Sequence, residues 1–137
     1  MSKPFSLRVT ESTDFRLKAL AKRAGIAPRT LAQRYVEEGL RMDEHPMIYF
    51  ADGPAGRRAR VHGTGADVWE LIATVRDNDG DVAEAAACLE VPVGVVQAAV
   101  SYYGAYPSEV DERIDGNAAA AAQAEALWRA GATAVDS

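Results

Sequence analysis

Residues 4–42 constrain the fold most, because they predict one short strand and two helices, too little to form a core alone. Phe5, Leu7 and Val9 alternate with polar residues, the period-two pattern of a strand with one buried face. A lone strand leaves both of its edges unpaired. We therefore expect two copies of the chain to pair these strands into an antiparallel ribbon, with four helices packed around it.

Both helices of this stretch have sequence signals at their ends. Ser12 is expected to cap the first helix, whose apolar stripe runs from Leu17 to Ala24. Gly25 is expected to close that helix, and Pro28 to lie in the first turn of the next. The second helix has its own apolar stripe and should end near Met42; the stripe comprises Leu31, Ala32, Tyr35, Val36 and Leu40.

The stretch resembles the ribbon-helix-helix (Arc/MetJ/CopG-like) repressors in its strand alternation, its helix spacing, the Gly25-Ile26 turn and the Pro28-Arg29-Thr30 helix start. In that family the ribbon enters the major groove of DNA, which a two-stranded ribbon fits. The resemblance implies that outward residues of the ribbon read base edges and that amides opening the second helix hold a phosphate. The implied DNA-binding residues are Ser6, Arg8, Thr10, Arg29 and Thr30. The alternative is a small dimerisation module with a solvated ribbon.

Charge is divided unevenly along the chain. Residues 1–45 hold nine Lys or Arg and six Asp or Glu, a net charge of +3. The whole chain carries −5, so residues 46–137 carry −8. Phosphate contacts depend on local charge, and dimerisation would double the positive head. We therefore expect a basic head, residues 1–45, on an acidic body that is unlike a second DNA-reading domain.

The remaining bulk features indicate a soluble protein of the cytoplasm. Cys88 is the single cysteine, so the chain cannot form an internal disulfide, and a reducing compartment is expected. No apolar run approaches the length of a membrane span, and the N-terminus lacks the apolar core of a signal peptide. We expect no membrane partner.

Residues 46–116 predict a second, mainly helical domain. Two short strands, Met47–Ala51 and Arg57–Val61, flank a glycine- and proline-rich turn and form a plausible hairpin. Three helices follow, with Asp67 as the cap of the first, and their layout is like a helix-turn-helix; they cover 68–75, 82–90 and 93–103. The expected fold class is thus mainly α with short β: a ribbon-helix-helix dimer followed by a hairpin and three helices.

The segment from Met47 to Ile114 resembles a small bacterial family usually called DUF433. The resemblance rests on motifs at five places: Asp52-Gly53 with the basic strand, Gly63-Thr64 with Val68-Trp69-Glu70, Val96-Gln97-Ala98-Ala99, Tyr102-Tyr103, and Pro107-Ser108-Glu109-Val110-Asp111. The Asp79-Gly80-Asp81 loop departs from the family's shorter versions. The family is similar to antitoxins of toxin–antitoxin pairs whose toxin is a PIN-like ribonuclease. The resemblance therefore implies an antitoxin whose second domain packs on its own kind or on the toxin instead of on DNA.

The last segment, residues 117–137, is an alanine-rich tail. Alanine favours a helix, but few large apolar residues are present to hold such a helix on a core. One interpretation is a segment that orders on a partner. In antitoxins of PIN-type ribonucleases such a segment commonly lies over the acidic metal site of the toxin, which implies Leu127, Trp128 and Arg129 as partner-binding residues. The alternative is a helix folded back on its own dimer, or a disordered end.

Residues that could support catalysis are scattered. His45, His62 and Cys88 lack the spacing of zinc ligands, and the glycine-rich turns lack the Gly-Lys-Ser/Thr of a phosphate loop. The acidic group near Asp111 is more typical of a solvated helix start than of a metal site. We expect no enzyme activity, metal or cofactor.

The predicted function is a type II antitoxin that binds operator DNA and a PIN-like ribonuclease toxin as a homodimer or higher homo-oligomer. The alternative is a stand-alone ribbon-helix-helix repressor whose C-terminal domain mediates oligomerisation or ligand sensing.

Overall fold

A computed structural model describes residues 2–137, and in this range the chain is mainly helical with one small antiparallel sheet, as predicted. The chain divides into two compact units, Met1–Asp43 and Glu44–Ser137. No helix in the described residues is long and apolar enough to cross a membrane. The elements are α1 (Glu11–Ala24), α2 (Pro28–Glu44), β1 (Ile48–Ala51), β2 (Arg58–Val61), α3 (Val68–Asp77), α4 (Val82–Leu89), α5 (Val93–Ala105) and α6 (Pro107–Val135).

The cap of α1 differs from the prediction. Thr10, not Ser12, is the N-cap residue, and its Oγ1 accepts a hydrogen bond from the amide of Thr13 at 3.1 Å. Ser12 lies inside the first turn, beside Glu11 and one residue before Thr13. The prediction was wrong because Thr10 was assigned to the strand, although a capping residue has extended backbone dihedrals and looks like the end of a strand.

The α1–α2 connection agrees with the sequence signals. Gly25 has φ 72° and ψ 28°, the left-handed conformation that glycine adopts without strain. Its amide donates to the carbonyl of Lys22, and the amide of Ile26 donates to that of Ala21, so the last turn of α1 is closed. Pro28 is the first residue of α2, a position whose backbone N–H would make no hydrogen bond within the helix, so proline costs nothing there. The second helix runs two residues beyond the predicted end at Met42.

The N-terminal segment, residues 2–10, carries no strand in the single chain. Every residue from 2 to 10 is exposed, with Phe5 at 81%, Leu7 at 67% and Val9 at 48%. Among the described residues of the first unit only Ala21, Leu31 and Glu38 are buried. The helices also expose large apolar side chains, namely Phe15, Leu20, Tyr35, Val36, Leu40 and Met42. The first unit therefore has far too little buried apolar surface to account for its folding.

The second unit begins with the predicted hairpin. Strands β1 and β2 pair in antiparallel register, with Ile48 opposite Val61 and Tyr49 opposite Arg60. The predicted strands each included one residue too many, Met47 and Arg57. The turn between them is closed by reciprocal backbone hydrogen bonds of 3.0 and 2.9 Å between Gly53 and Gly56. Ile48 and the two buried residues of β2, Ala59 and Val61, point to the core.

Helices α3, α5 and α6 complete the core that the hairpin covers. Leu71 of α3, Ala99 and Tyr102 of α5 are fully buried, and Val110 near the start of α6 is 2% exposed. A smaller cluster of Ala85, Ala86 and Val96 holds α4 against α5. Unlike the first unit, this unit buries a contiguous apolar core within a single chain.

The alanine-rich tail is part of a longer element than predicted. Helix α6 begins at Pro107 and continues through Gly116 and the alanine run to Val135, so a single helix crosses the division placed between 116 and 117. Residues 115–131 are exposed, so the helix extends beyond the core that holds its first two turns. The acidic group near Asp111, expected at a solvated helix start, lies in the first turns of this helix.

Candidate functional site

The predicted base-reading residues all lie on the N-terminal segment. Ser6 and Arg8 are exposed, and the side chains on either side of Arg8 are the exposed Leu7 and Val9. Thr10 is in a different position, because its hydroxyl accepts from the Thr13 amide and donates to Thr13 Oγ1 at 3.0 Å. Thr10 thus ties the end of the segment to α1, while Ser6 and Arg8 have no such role.

The predicted phosphate-holding residues lie in the first turn of α2, the helix start at which they were expected. Arg29 and Thr30 are the second and third residues of α2, and both are exposed. No acidic side chain lies in the first turn of this helix, so its positive dipole end is not neutralised locally. An open helix start of this kind suits an anion.

The predicted partner-binding residues are exposed on the distal part of α6. Leu127 is 66% and Trp128 is 72% exposed. Arg129 is paired along the helix with Glu125, Nη2 to Oε1 at 2.7 Å, so it presents an ion pair and not an isolated cation. Such an exposed i,i+4 pair adds only a few tenths of a kcal/mol to the helix. The large exposed side chains, and not the charge of Arg129, are the unusual feature of this segment.

Hydrogen bonds between tyrosines and carboxylates join two of the motifs named above, Tyr102-Tyr103 and Pro107-Ser108-Glu109-Val110-Asp111. Tyr102 Oη donates to Glu109 Oε2 at 2.5 Å, and Tyr103 Oη donates to Asp111 Oδ1 at 3.0 Å. Arg76 of α3 joins the second pair, with Nη2 at 2.5 Å from Asp111 Oδ1 and 2.7 Å from Tyr103 Oη. The two tyrosines therefore fasten the end of α5 to the first turns of α6, across the break at Tyr106 and Pro107. This role is structural.

The Arg76 contact changes the acidity of Asp111. The hydrogen bond from Arg76, followed in size by that from Tyr103, holds the pKa of Asp111 below its usual range. The same contact raises the pKa of Arg76 above its ordinary value. Both side chains are close to half exposed, so water screens the pair and its contribution to stability is modest.

The basic strand and Asp67 form a second structural cluster. The Asp67 side chain is only 10% exposed, and its Oδ1 lies 3.0 Å from Nε of Arg58 and 3.0 Å from Nε of Arg60. Its Oδ2 accepts from the indole N–H of Trp69 at 3.1 Å, and its amide donates to Glu70 Oε1 at 3.0 Å. Asp67 also caps α3. Buried carboxylates need such partners, and the cluster joins β2 to the start of α3.

A cleft of about 760 Å³ lies beside this cluster. It is bounded by the turn at Pro54–Gly56, by Trp69 and by the first turns of α6. Arg113, on its wall, donates to the carbonyls of Ala55 and Arg57 and so fixes the turn. Most charged groups around the cleft are committed to protein partners, which leaves an open groove with few polar atoms directed at a ligand.

The helix-turn-helix-like elements lack the charge of a DNA reader. Helix α5 contains no Lys or Arg, and α3 ends at Asp77 and is followed by Asp79 and Asp81 in its connection to α4. The turn before α5 includes Glu90. A helix without basic residues, flanked by carboxylates, would repel a phosphate backbone.

The hairpin brings together residues that sequence reasoning missed. The ring of His62 stacks on that of Tyr49, with centroids 4.5 Å apart and planes inclined by 28°. The guanidinium carbon of Arg60 lies 5.9 Å from the centroid of the same tyrosine. His62 is 13 positions and Arg60 is 11 positions from Tyr49 in sequence, and the strand register makes them neighbours. One sequence signal could have indicated this face: Tyr49 alternates with the apolar Ile48 and Phe50, so it lies on the opposite side of β1.

In the described residues no group of three or more His, Cys, Asp or Glu side chains is arranged to hold a metal ion. Cys88 lies among alanines of a predicted helix, which favours a small buried residue, but the structure exposes it on α4. Comparisons of the chain with protein-family models, with curated proteins and with solved structures found no match.

Proposed function

We propose that the protein is the antitoxin of a type II toxin–antitoxin pair, which represses its own promoter and neutralises a PIN-like ribonuclease. Its first unit would dimerise as a ribbon-helix-helix module on operator DNA. The second unit and its long α6 helix would bind the toxin. The proposal rests on the resemblances described above and on the surface chemistry of each unit.

The exposed apolar side chains of the first unit are the observation that carries the DNA-binding half of the proposal. Phe5, Leu7 and Val9 alternate with Ser6 and Arg8 and are exposed in the single chain. A second N-terminal segment paired with the first would hide one face of the ribbon against the exposed apolar sides of α1 and α2. The opposite face would then carry two copies of Ser6 and Arg8.

Charge supports DNA as the ligand of that opposite face. The net +3 of residues 1–45 becomes +6 in a dimer, while the body is acidic. Arginine can bind guanine bidentately in the major groove, and a free helix start such as that of α2 can hold a phosphate. In this arrangement Arg8 supplies specificity, and Arg29 and Thr30 position the dimer on the backbone.

A titration of a labelled promoter duplex by fluorescence anisotropy tests the DNA-binding half. Arg8→Ala is expected to reduce specific affinity by about tenfold or more, the scale of losing a good base contact. Arg16→Ala is the matched control, because it removes the same charge from an exposed position on α1. Equal losses from both variants would show that only charge matters and would overturn the role of Arg8 as a reader.

The exposed distal part of α6 supports the toxin-binding half. Residues 115–131 form a helix that the second unit does not cover, with Leu127 and Trp128 both more than 60% exposed. Alanine propensity is enough to continue this helix from its anchored start, so a partner would act by covering the exposed apolar side chains and not by creating the helix. Tryptophan is among the residues that most often dominate binding energy at interfaces.

Co-purification with a PIN-like ribonuclease encoded next to this gene tests that half. Trp128→Ala is expected to weaken the complex by about 2 kcal/mol or more, the scale of an interface hot spot. Gln123→Ala is the control, an exposed substitution on the same helix that removes no large apolar group. A complex that survives both Trp128→Ala and deletion of residues 117–137 would rule out the anchoring role.

The second candidate is a stand-alone ribbon-helix-helix repressor whose second unit mediates oligomerisation or senses a ligand. The cleft of about 760 Å³ beside Trp69 favours this alternative, because its volume is within the range of small-molecule sites. Absence of an adjacent ribonuclease gene, together with a small molecule that changes operator affinity, would favour it over the antitoxin.

A further inference from the structure

The outer face of the hairpin, defined by Tyr49, Arg58, Arg60 and His62, is the strongest candidate for an additional site. Ile48, Ala59 and Val61 point to the core, so strand alternation places Tyr49, Arg58 and Arg60 on the opposite side. Tyr49 is half-buried and His62 is exposed. This face thus presents two flat rings and two guanidinium groups.

The rings form a stacked pair whose outer member is accessible. His62 lies nearly parallel to Tyr49, at a centroid separation of 4.5 Å, and Arg60 packs against the same tyrosine. The ring of Tyr49, whose position is fixed by the pairing of β1 with β2, therefore holds the imidazole of His62 in its orientation. A preoriented, exposed ring is a surface on which another planar group can stack at small entropic cost.

The charge of this face is positive, although the unit as a whole is acidic. Residues 46–66 contain Arg57, Arg58 and Arg60 but only one acidic residue, Asp52. Asp52 pairs with Arg57 at 3.4 Å, and Asp67 is shared by Arg58 and Arg60. Two guanidinium groups on a single carboxylate leave one positive charge in excess. Nε of Arg60 is buried beside Asp67, and its Nη2 donates to the carbonyl of Gly65, so these contacts hold the guanidinium in place.

Planar rings together with excess guanidinium charge suit one class of ligand. Every nucleobase has a face that can stack on an aromatic ring, and the phosphates that link bases are attracted to arginine. In a duplex the base faces are covered by neighbouring bases, so only an unpaired strand can use such a ring. We propose that the outer face of the hairpin binds a single-stranded nucleic acid, with one base stacked on His62 and the adjoining phosphate near Arg60. This site is independent of the proposed dimer on duplex DNA.

A titration of the full-length protein with a fluorescein-labelled thymidine 12-mer at low salt tests the proposal. His62→Ala is expected to weaken binding about fivefold or more, the scale of losing one stacked base. His62→Phe keeps a flat ring and is expected to preserve binding. Arg16→Ala, in the first unit, is expected to leave it nearly unchanged, whereas a loss confined to Arg16→Ala would place the oligonucleotide on the first unit and overturn the proposal.

A second measurement uses the native protein, so it does not depend on how a variant folds. The chain has only two histidines, and His45 contacts Tyr102 and Tyr106 at ring distances of 5.4 and 6.2 Å. Adding the 12-mer is expected to shift the imidazole NMR signals of His62 and leave those of His45 in place. Unshifted His62 signals, the absence of binding, or equal displacement by a polyglutamate peptide with no dependence on His62 would each contradict the proposal.

Discussion

The hydroxyl of Tyr103 donates to Asp111 across the break between α5 and α6, and Arg76 of α3 approaches the same carboxylate oxygen. Three helices thus meet at one exposed side-chain cluster. The neighbouring Tyr102 makes the equivalent bond to Glu109 from inside the core. The spacing between the tyrosine pair and the acidic residues follows from this geometry, because Val110 between the two carboxylates must enter the core.

The depressed pKa of Asp111 makes part of the stability depend on pH. A carboxyl group whose pKa is lower in the folded state stabilises the protein above its unfolded pKa, and that contribution disappears as the pH falls through the folded value. We expect the melting temperature of the native protein to fall more steeply below about pH 4 than that of Asp111→Asn. Thermal melts between pH 2.5 and 7 measure this difference.

Arg76→Ala provides the control for the pH effect, because Arg76 is the main cause of the shift. In that background Asp111→Asn should change the pH profile very little. An equally large change with and without Arg76 would show that another group sets the acidity of Asp111.

Among the aromatic residues of the second unit, Tyr102 is expected to contribute most to the free energy of unfolding. Its side chain is fully buried, and its ring contacts those of His45, Phe50 and Tyr106. Tyr102→Ala should lower the free energy of unfolding by about 3–5 kcal/mol, measured by urea denaturation. Tyr102→Phe keeps the ring and should cost about 1 kcal/mol through the lost hydrogen bond. A Phe variant as unstable as the Ala variant would contradict the packing explanation.

Glu90 offers a stabilising substitution. It ends α4 with φ 56° and ψ 44°, a left-handed conformation that favours glycine. Its side chain makes no capping bond, whereas its amide closes the last turn. Glu90→Gly should therefore raise the free energy of unfolding by about 0.5–1 kcal/mol. Glu84→Gly, inside the same helix, is the control and should destabilise by a similar amount; a loss of stability from both would refute the strain at Glu90.

Thr10 is expected to matter for helix α1 more than for base reading. Thr10→Ala should destabilise the first unit by about 1 kcal/mol, because the amide of Thr13 loses its acceptor. Ser12→Ala is the matched control, since Ser12 lies within the helix and should be nearly neutral. Helix content by circular dichroism and the midpoint of denaturation measure the difference. Equal effects from the two substitutions would contradict the assigned cap.

The sequence predicted well where local physics decides the conformation. Gly25, Pro28 and Asp67 terminate or cap helices as expected, because left-handed φ, a missing N–H and a short carboxylate each act within a few residues. The hairpin was also predictable, since its turn composition and apolar alternation are local. These features give the mainly helical fold with a small sheet.

Features that depend on contacts between residues distant in sequence, or on whether a helix continues past a glycine, were not predictable. The length of α6 was missed because Gly116 and the alanine run suggest a boundary, although alanine propensity is enough to continue a helix that Val110 anchors. The Tyr49–His62 stack requires the strand register, and the Arg76–Asp111 pair joins residues 35 positions apart. Neither leaves a periodic signal in the sequence.

Sedimentation equilibrium of the native protein beside Leu7→Asp and Leu127→Asp tests most directly whether a second chain completes the first unit. Leu7 and Leu127 are almost equally exposed in the single chain, at 67% and 66%, so the two variants add the same charge to similar surfaces. We predict a dimer for the native protein and for Leu127→Asp, and a monomer for Leu7→Asp. A native monomer, or a dimer that tolerates Asp at position 7, would contradict the account.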